Sequence, residues 1–403
     1  MTTRSTTTLK LGSQARQRLL SAVACRELVA GLTHNFYRYP ARFSPQFARV
    51  VIDSFTRPGD IILDPFMGGA TTLVEAHVLG RPAIGLDVNE LACFIARVKT
   101  TPLSDDDVRA VTNWMRRSVR NMNVHRMVKR PLEWIAAGYQ RNISTRQTWP
   151  IRKTLELALD RISLLKTQSQ QNFARAVLLR TGQWALDCRS DVPSVAQFRS
   201  KLLQLFQEMI DGLKVYRNLT NRSGKAPERD QILILNRAAD GIDHEPAVLQ
   251  FGRPKLVLTS PPYPGVHVLY HRWQILGRKE TPAPFWISST LDGNGTSYYT
   301  FGDRKQPNLE SYFETAQRSF GSIAKLAARD TLVVQMVAFS KAPWQLPRYL
   351  ETMQAAGLEE VRLAGISTGD GRLWRFVPNR KWYAEKRRTG DAAREVVLFH
   401  RVA

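Results

Sequence analysis

The sequence predicts an α/β fold built on an open, doubly wound, mostly parallel sheet. Three observations carry that prediction. Residues 61–87 read strand, glycine-bearing turn, helix, strand and terminal acid, the front half of a nucleotide-binding unit. A second buried strand, Leu256 to Leu258, runs through Thr259 into Ser260-Pro261-Pro262-Tyr263. Two prolines fix φ and remove ladder donors, so this is a stiff turn at a strand's carboxyl end, where open α/β sheets hold ligands. Apolar strands then alternate with helical patterns towards the C-terminus.

Composition bounds the function. The 403 residues suffice for a large α/β domain plus a second unit, and 43% apolar content allows a sizeable core. The charge is unusual: 58 Lys and Arg against 35 Asp and Glu give a net +23 and a pI near 10.4. Such an excess says nothing about fold, but it favours a polyanionic partner, nucleic acid before an anionic membrane face. Cys25, Cys93 and Cys188 are too scattered for a disulfide framework or a metal quartet and read as buried thiols of a cytoplasmic protein. The polar N-terminus has no signal-peptide core, and no apolar run is long enough to span a membrane.

In chain order, residues 1 to about 12 are Thr-rich and expected to be loose. Leu19, Leu20, Val23 and Leu28 mark a helix over 14–31, ended by Gly31. An aromatic, proline-bearing loop runs from His34 to Pro45, followed by a helix from Gln46 to Phe55 and the turn Arg57-Pro58-Gly59-Asp60. The strand from Ile61 to Asp64 enters Pro65-Phe66-Met67-Gly68-Gly69-Ala70-Thr71-Thr72 and a helix over 73–79. The glycines admit a ligand close to the backbone, and the helix start after Thr71 offers free N–H groups. Asp87 ends the next strand nineteen residues beyond Gly68, a spacing suited to a carboxylate that accepts ribose hydroxyls. The loop is too short for a dinucleotide fingerprint. Asp64 at its mouth would repel a pyrophosphate and suit an ammonium or sulfonium, which points to S-adenosylmethionine and away from NAD.

Residues 102–227 interrupt the alternation. Between Arg109 and Lys225 stand 22 Lys and Arg against 7 Asp and Glu. Leu155, Leu159, Ile162, Leu165 and then Leu202, Phe206, Met209, Leu213 recur at helical spacing, predicting a mainly helical insertion with a small core of its own. A charge run is ordinarily a solvated face, but an excess gathered in one block fits phosphate contacts. The linker Asn221 to Pro227 returns the chain to a strand over 231–236.

Residues 264–273 read as a loop entering a helix, in which His267 and His271 more often pack than bind. Residues 288–306, with the pair Tyr298-Tyr299, suit a mobile loop near a base pocket or a long surface loop. A helix over 309–328, a strand over 331–337, a helix over 346–356 and strands over 358–363 and 394–400 complete the pattern. Arg372 to Phe376 and Arg380 to Tyr383 mix basic and aromatic side chains, as surfaces for phosphates and unpaired bases do.

Asp64-Pro65-Phe66-Met67-Gly68-Gly69-Ala70-Thr71-Thr72 together with Thr259-Ser260-Pro261-Pro262-Tyr263 resembles the S-adenosylmethionine-dependent DNA methyltransferases that modify exocyclic amino groups. The resemblance covers residues 34–100 and about 231–340, and more loosely the C-terminal hairpin. It implies a Rossmann-like class I methyltransferase sheet. It also implies cofactor contacts from Tyr39, Pro40, Asp64, Pro65, Phe66, Gly68, Thr71, Asp87 and Thr259, with Tyr39 and Pro40 in the segment ahead of the first motif. Either Asn236 or Asp240 would meet the cofactor's adenine, an Asp capping the next turn being the plainer role for the latter. Ser260-Pro261-Pro262-Tyr263 is the variant associated with the 4-amino group of cytosine, Asp or Asn at the serine position being usual for adenine. Ala70 departs from a usual glycine, and being small it is expected to bring tighter packing and not loss of binding; the motif order is not the permuted one common among cytosine-amine enzymes. An insertion between the second and third strands is an unusual place for recognition elements.

The chemistry follows from the residue types. A sulfonium donor needs no metal, and no Pro-Cys turn marks ring-carbon methylation. An exocyclic amine is a poor nucleophile. The Ser260 hydroxyl and the Pro261 carbonyl would draw its N–H bonds into a productive geometry while Tyr263 stacks on the flipped base. The expected organisation is an N-terminal extension (1–33), a cofactor half (34–101), a basic helical insertion (102–227) and a catalytic half with a C-terminal hairpin (228–403). Double-stranded DNA is the expected substrate, with RNA base amines and adenine-N6 as alternatives. A cognate nuclease or defence subunit is an open partner, and a catalytically inactive DNA-binding subunit is the reading from another class.

Overall fold

The computed structural model describes residues 8–27, 29–39, 44–127, 131–221, 231–265, 272–277, 279–293, 299–303, 305–366, 370–376 and 394–403. Its sheet contains β1 (Thr8–Leu9), β2 (Ile62–Asp64), β3 (Ala83–Asp87), β4 (Ile232–Asn236) and β5 (Leu256–Thr259), then β8 (Leu332–Val337), β9 (Leu358–Leu363), β10 (Leu373–Phe376) and β11 (Arg394–Val402). The order is β4-β3-β2-β5-β8-β11-β9-β1. From β4 to β8 every pairing is parallel, and β11 inserts antiparallel between β8 and β9. β10 pairs with the first residues of β11 and β9 with the last, so both lie on the edge of β11 opposite β8. The fold is Rossmann-like, with a large, mainly helical insertion.

Both faces of the sheet are covered, which is why its central strands are apolar throughout. Alternate residues feed two cores. Ile62, Leu256, Leu258 and Val334 pack against α1 (Ser13–Ala24), α2 (Pro45–Phe55) and α3 (Thr71–Val78). Leu63, Ile84, Val257 and Val333 face α12 (Glu310–Leu326) and α13 (Ala342–Ala355). Ser44 caps α2 by accepting from Gln46 N–H, with Pro45 at the first helical position.

The insertion contributes α5 (Asp105–Arg120), α6 (Leu132–Ala136), α7 (Trp149–Asp160), α8 (Gln168–Leu186) and α9 (Val195–Thr220). Capping boxes at Ser104, Thr167 and Ser194 fix the starts of α5, α8 and α9. The expected private core is instead a shared one. It joins Phe94, Ile95 and Val98 of α4 (Glu90–Thr100), the loop residues Phe36, Tyr37 and Tyr39, and Trp273, Phe285 and Trp286. α8 is buried on nearly every side, so it has no single apolar stripe to read. Beyond the insertion, the short helix α10 (Pro246–Phe251) carries the chain from β4 to β5.

The expected helix after residue 264 is replaced, where described, by the hairpin β6 (Trp273–Ile275) and β7 (Lys279–Thr281) and by α11 (Ala283–Ser288). Trp273 explains the difference. Its ring fills a notch at Gly182 of α8, where a Cβ would come within 2.8 Å, and its Nε1–H donates to Tyr37 OH at 3.0 Å. The first helix also ends early, at Ala24, and Gly31 serves a separate turn at φ +82°. Of the cysteines expected to be buried, Cys93 is, whereas Cys25 is half-buried and Cys188 exposed. His267, His271, Tyr298 and Arg380 to Tyr383 lie outside the described residues. No described helix is long and apolar enough to cross a membrane.

Candidate active site

A cleft of about 330 Å³ opens at the carboxyl ends of the sheet, beside the point where the chain turns from β2 towards β3 on one side and β5 on the other. Its wall includes Tyr39, Pro65, Phe66, Gly68, Asp87 and Asp240, and the whole run Ser260-Pro261-Pro262-Tyr263. Residues separated by nearly two hundred positions in the chain therefore meet because β2 and β5 are adjacent strands. Pro40, with the neighbouring Ala41, Arg42 and Phe43, lies outside the described residues.

On the β2 side, the loop is built around left-handed backbone. Gly68 has φ +42°, and a Cβ there would stand 3.2 Å from Tyr39 Cε1. Glycine alone lets the loop and that ring close on each other. Ala70 has φ 59° and ψ 30° and is fully buried as the residue before α3. A left-handed alanine costs about 1–2 kcal/mol, so the departure from glycine is a strained backbone and not merely tighter packing. Lys99 of α4, fully buried, donates from Nζ to the Gly69 carbonyl at 2.7 Å and holds the loop from beneath. Thr71 Oγ1 is buried without a hydrogen-bond partner among the described residues.

Asp64 is 2% exposed and sits under the loop, not on the cleft wall. Its Oδ1 accepts from Thr259 Oγ1 at 2.7 Å and from Phe66 N–H at 3.3 Å. Thr259 is thus a buried brace for Asp64. Burial pushes the Asp64 carboxyl up to about 6 despite those bonds. Asp87 does reach the cleft. Its two oxygens accept from Gly68 N–H and Asn89 N–H, both at 2.9 Å. Burial raises it to about 6 as well, the Asp64 charge adding a smaller push.

Asn236 and Asp240 divide. The Asn236 carboxamide donates to the Asp87 carbonyl at 3.0 Å, whereas Asp240 lines the cleft and pairs with Arg318 at 3.1 Å. Tyr39 is carried by a tethered loop. His34 Nε2 and Arg49 Nε each stand 2.7 Å from the buried Glu75 of α3. Gln183 of α8 bonds to both the N–H and the C=O of Arg38, at 3.1 and 3.0 Å. The insertion therefore supports the loop that presents Tyr39.

On the β5 side, the turn is pinned by side chains from distant strands and helices. Ser260 Oγ lies 3.0 Å from both Tyr263 OH and the Met336 carbonyl. Tyr263 OH donates to Glu395 Oε1 at 2.7 Å, and Glu395 pairs with Arg375 of β10 at 3.2 Å. Tyr312 OH donates to the Pro262 carbonyl at 2.7 Å, leaving the Pro261 carbonyl without a hydrogen bond among the described residues. Phe66 and Phe301 continue the wall edge to face, with centroids 5.3 Å apart, and Tyr312 backs Phe301 at a tilt, 5.7 Å away.

Sequence reasoning missed Glu395, Tyr312, Phe301 and Arg318. The first opens a strand beside Arg394 and looks like an ordinary edge charge. Tyr312 and Arg318 look like the two faces of an amphipathic helix. Only Phe301, beside the Tyr298-Tyr299 pair, carried a signal.

The insertion's cations also sort themselves. Several are spent internally: Arg152 pairs with Glu156, Arg175 donates to the Ile287 carbonyl and Arg180 to the Asn35 carbonyl. Arg116, Arg117 and Arg120 stand exposed on α5.

Residues 15–97 match the N6/N4 family model described as DNA methylase. The chain is 41% identical over 66 residues to the type II methyltransferase M.MjaII of Methanocaldococcus jannaschii, a match covering 16% of this chain and 12% of that protein. It is 33% identical over 96 residues to the type II methyltransferase M.MvaI of Kocuria varians, covering 23% and 21% respectively. Against M.BsoBI of Geobacillus stearothermophilus, also a type II methyltransferase, it is 43% identical over 56 residues, covering 14% and 11%. The matches thus span at most about a fifth of those relatives' own lengths. The similarity to the N6/N4 DNA methylase family thus lies in residues 15–97, the segment that carries the cofactor side of the cleft.

Proposed function

We propose that the protein transfers a methyl group from S-adenosylmethionine to the exocyclic amino group of a base flipped out of DNA, the 4-amino group of cytosine first. The observation that carries this reading is the single cleft. Gly68, in the loop after β2, and Asp87, at the end of β3, line one space with Ser260-Pro261-Pro262-Tyr263, which follows β5, and aromatic rings wall part of it. The type II methyltransferase names of the relatives support DNA as the substrate and a restriction-modification setting.

The residues present suit that cofactor. Asp87 offers carboxylate lone pairs at the cleft wall, and Asp240 a second acceptor. Gly68 leaves room that a Cβ would fill, and Phe66 supplies an apolar face. Asp64 below the loop and Asp87 on the wall make a negative environment for a positively charged ligand. When bound, S-adenosylmethionine supplies a methyl group already activated for transfer.

The chain's own residues prepare the amine. Its lone pair is delocalised into the base ring and must be turned towards the donor. Ser260 Oγ and the Pro261 carbonyl accept its two N–H bonds, and that orientation lowers the barrier through positioning and electrostatics. The Tyr263 ring holds the flipped base by stacking. Serine in place of an acid or carboxamide supports cytosine over adenine. The purified protein, incubated with methyl-labelled cofactor and DNA, should place label in acid-stable nucleosides. The absence of transfer to DNA or RNA would leave an inactive binding subunit as the reading.

A further inference from the structure

Ser260 can accept from an amine only through a lone pair that no other donor claims, and the protons around it decide how many of its two are left. Three oxygens converge on the turn: Ser260 Oγ, Tyr263 OH and the Met336 carbonyl, with Ser260 3.0 Å from each of the other two. The Met336 carbonyl can only accept. Each hydroxyl carries one proton. If Tyr263 gave its proton to Ser260, one serine lone pair would be occupied on the side facing the phenol. In the structure that proton goes elsewhere, to Glu395 Oε1 at 2.7 Å. Ser260 then donates its own proton, to the Tyr263 oxygen or to the Met336 carbonyl, and no described group donates to it.

We propose that Glu395 is a positioning residue for methyl transfer: by drawing off the Tyr263 phenol proton it keeps Ser260 Oγ an acceptor for the target amine. The assignment rests on the reading of the cleft given above and adds a residue that touches neither cofactor nor base. Its placement suits the task. Glu395 is 6% exposed, so water does not compete for its oxygens, and Arg375, 7% exposed, pairs in charge with the carboxylate's other oxygen, Nε to Oε2 at 3.2 Å. Both sit where β10 pairs with β11, Arg375 opposite Glu395 in register. The antiparallel end of the sheet thereby sets the hydrogen-bond polarity of a turn 132 residues earlier in the chain.

Two variants separate acceptor from charge. Glu395→Leu and Glu395→Gln both remove the charge facing Arg375, but only the glutamine keeps an oxygen for the phenol proton. Glu395→Leu should lower kcat on DNA by about tenfold or more, with the KM for DNA and the cofactor affinity within about twofold of the parent. Glu395→Gln should recover most of the loss. In a Tyr263→Phe background no phenol proton remains to misdirect, so adding Glu395→Leu should lower the residual kcat by less than about twofold. If the leucine variant melts below the assay temperature, Glu395→Asp takes its place in the cycle. It keeps a charge opposite Arg375 but withdraws the acceptor by one methylene. Equal losses in the leucine and glutamine variants, or an undiminished loss in the Tyr263→Phe background, would overturn the proposal and leave Glu395 a structural partner of Arg375. A parent protein inactive on every nucleic acid would instead overturn the reading of the cleft, and the proposal with it.

Discussion

Cofactor binding should be proton-linked. Asp87 accepts two backbone N–H bonds at 2.9 Å, and burial still holds its carboxyl at about 6. The ribose hydroxyls assigned to it need a carboxylate, since a protonated acid loses acceptor capacity and gains a donor. The free protein therefore carries a proton on Asp87 below about pH 6 that the complex must release. Affinity should fall as the pH drops, by up to about tenfold per pH unit, or ~1.4 kcal/mol, for each such group. Asp64, also at about 6, adds a second proton if the cofactor's positive charge acts on it. Between about pH 7.5 and about pH 5 the dissociation constant should thus rise roughly tenfold for one group and roughly a hundredfold for two. Calorimetry in buffers of different ionisation enthalpy reads both the affinity and the protons released. Asp87→Asn should weaken binding at neutral pH by about 1.5–3 kcal/mol and delete one proton from the linkage. An affinity that stays flat across this range, with no proton release, would refute the role given to Asp87.

Other consequences can be checked alongside. The Asp64 carboxyl is raised above its unfolded value. Protonation therefore favours the folded chain, and that stability is present below about pH 4 and lost as the pH rises through about 6. Asp64→Asn, which can still accept from Thr259, should raise the neutral-pH Tm, by up to about 3 kcal/mol of stability, while weakening cofactor binding; an unchanged Tm contradicts the burial argument. If the exposed face of α5 tracks the phosphate backbone, neutralising Arg116, Arg117 and Arg120 should lower the salt slope of DNA binding by about one for each phosphate no longer neutralised, and cofactor affinity should hold. A salt slope equal to the parent's makes that face a bystander. Deleting residues 102–227 is the poorer test, because it would uncover Phe94, Ile95, Phe285 and Trp286. Tyr263→Ala should cost about 1–3 kcal/mol in binding of the flipped base as well as turnover. Ser260→Ala should lower turnover with little change in DNA affinity, and turnover within about twofold of the parent removes Ser260 from the reaction.

Much of the cofactor side was legible because its signals are local. Strand, glycine turn, helix and acid fall within residues 61–87, and the backbone geometry they demand is written in residue types. The Ser-Pro-Pro-Tyr turn was legible for the same reason. What the sequence hid depends on strands meeting across the sheet. Glu395 becomes part of the turn only because β11 inserts beside β8, which no local pattern announces. Ala70 was visible as a departure, but its left-handed φ is a property of the folded loop. The insertion's charge and helices were plain, yet its packing was not. The fit of Trp273 into Gly182 and the grip of Gln183 on Arg38 join it to the site, and periodicity within one helix cannot reveal a partner in another segment.

The central claim is tested most directly by digesting to nucleosides the DNA of cells that express the protein, beside DNA from cells expressing a Ser260→Ala variant, and resolving the products by mass spectrometry. The account predicts cytosine methylated on its 4-amino group in the first sample and its loss or strong reduction in the second. Methylated adenine amine in its place would keep the cleft and its mechanism and change the base. DNA and RNA both without a methylated amine, from a protein that is folded and binds S-adenosylmethionine, would contradict the account.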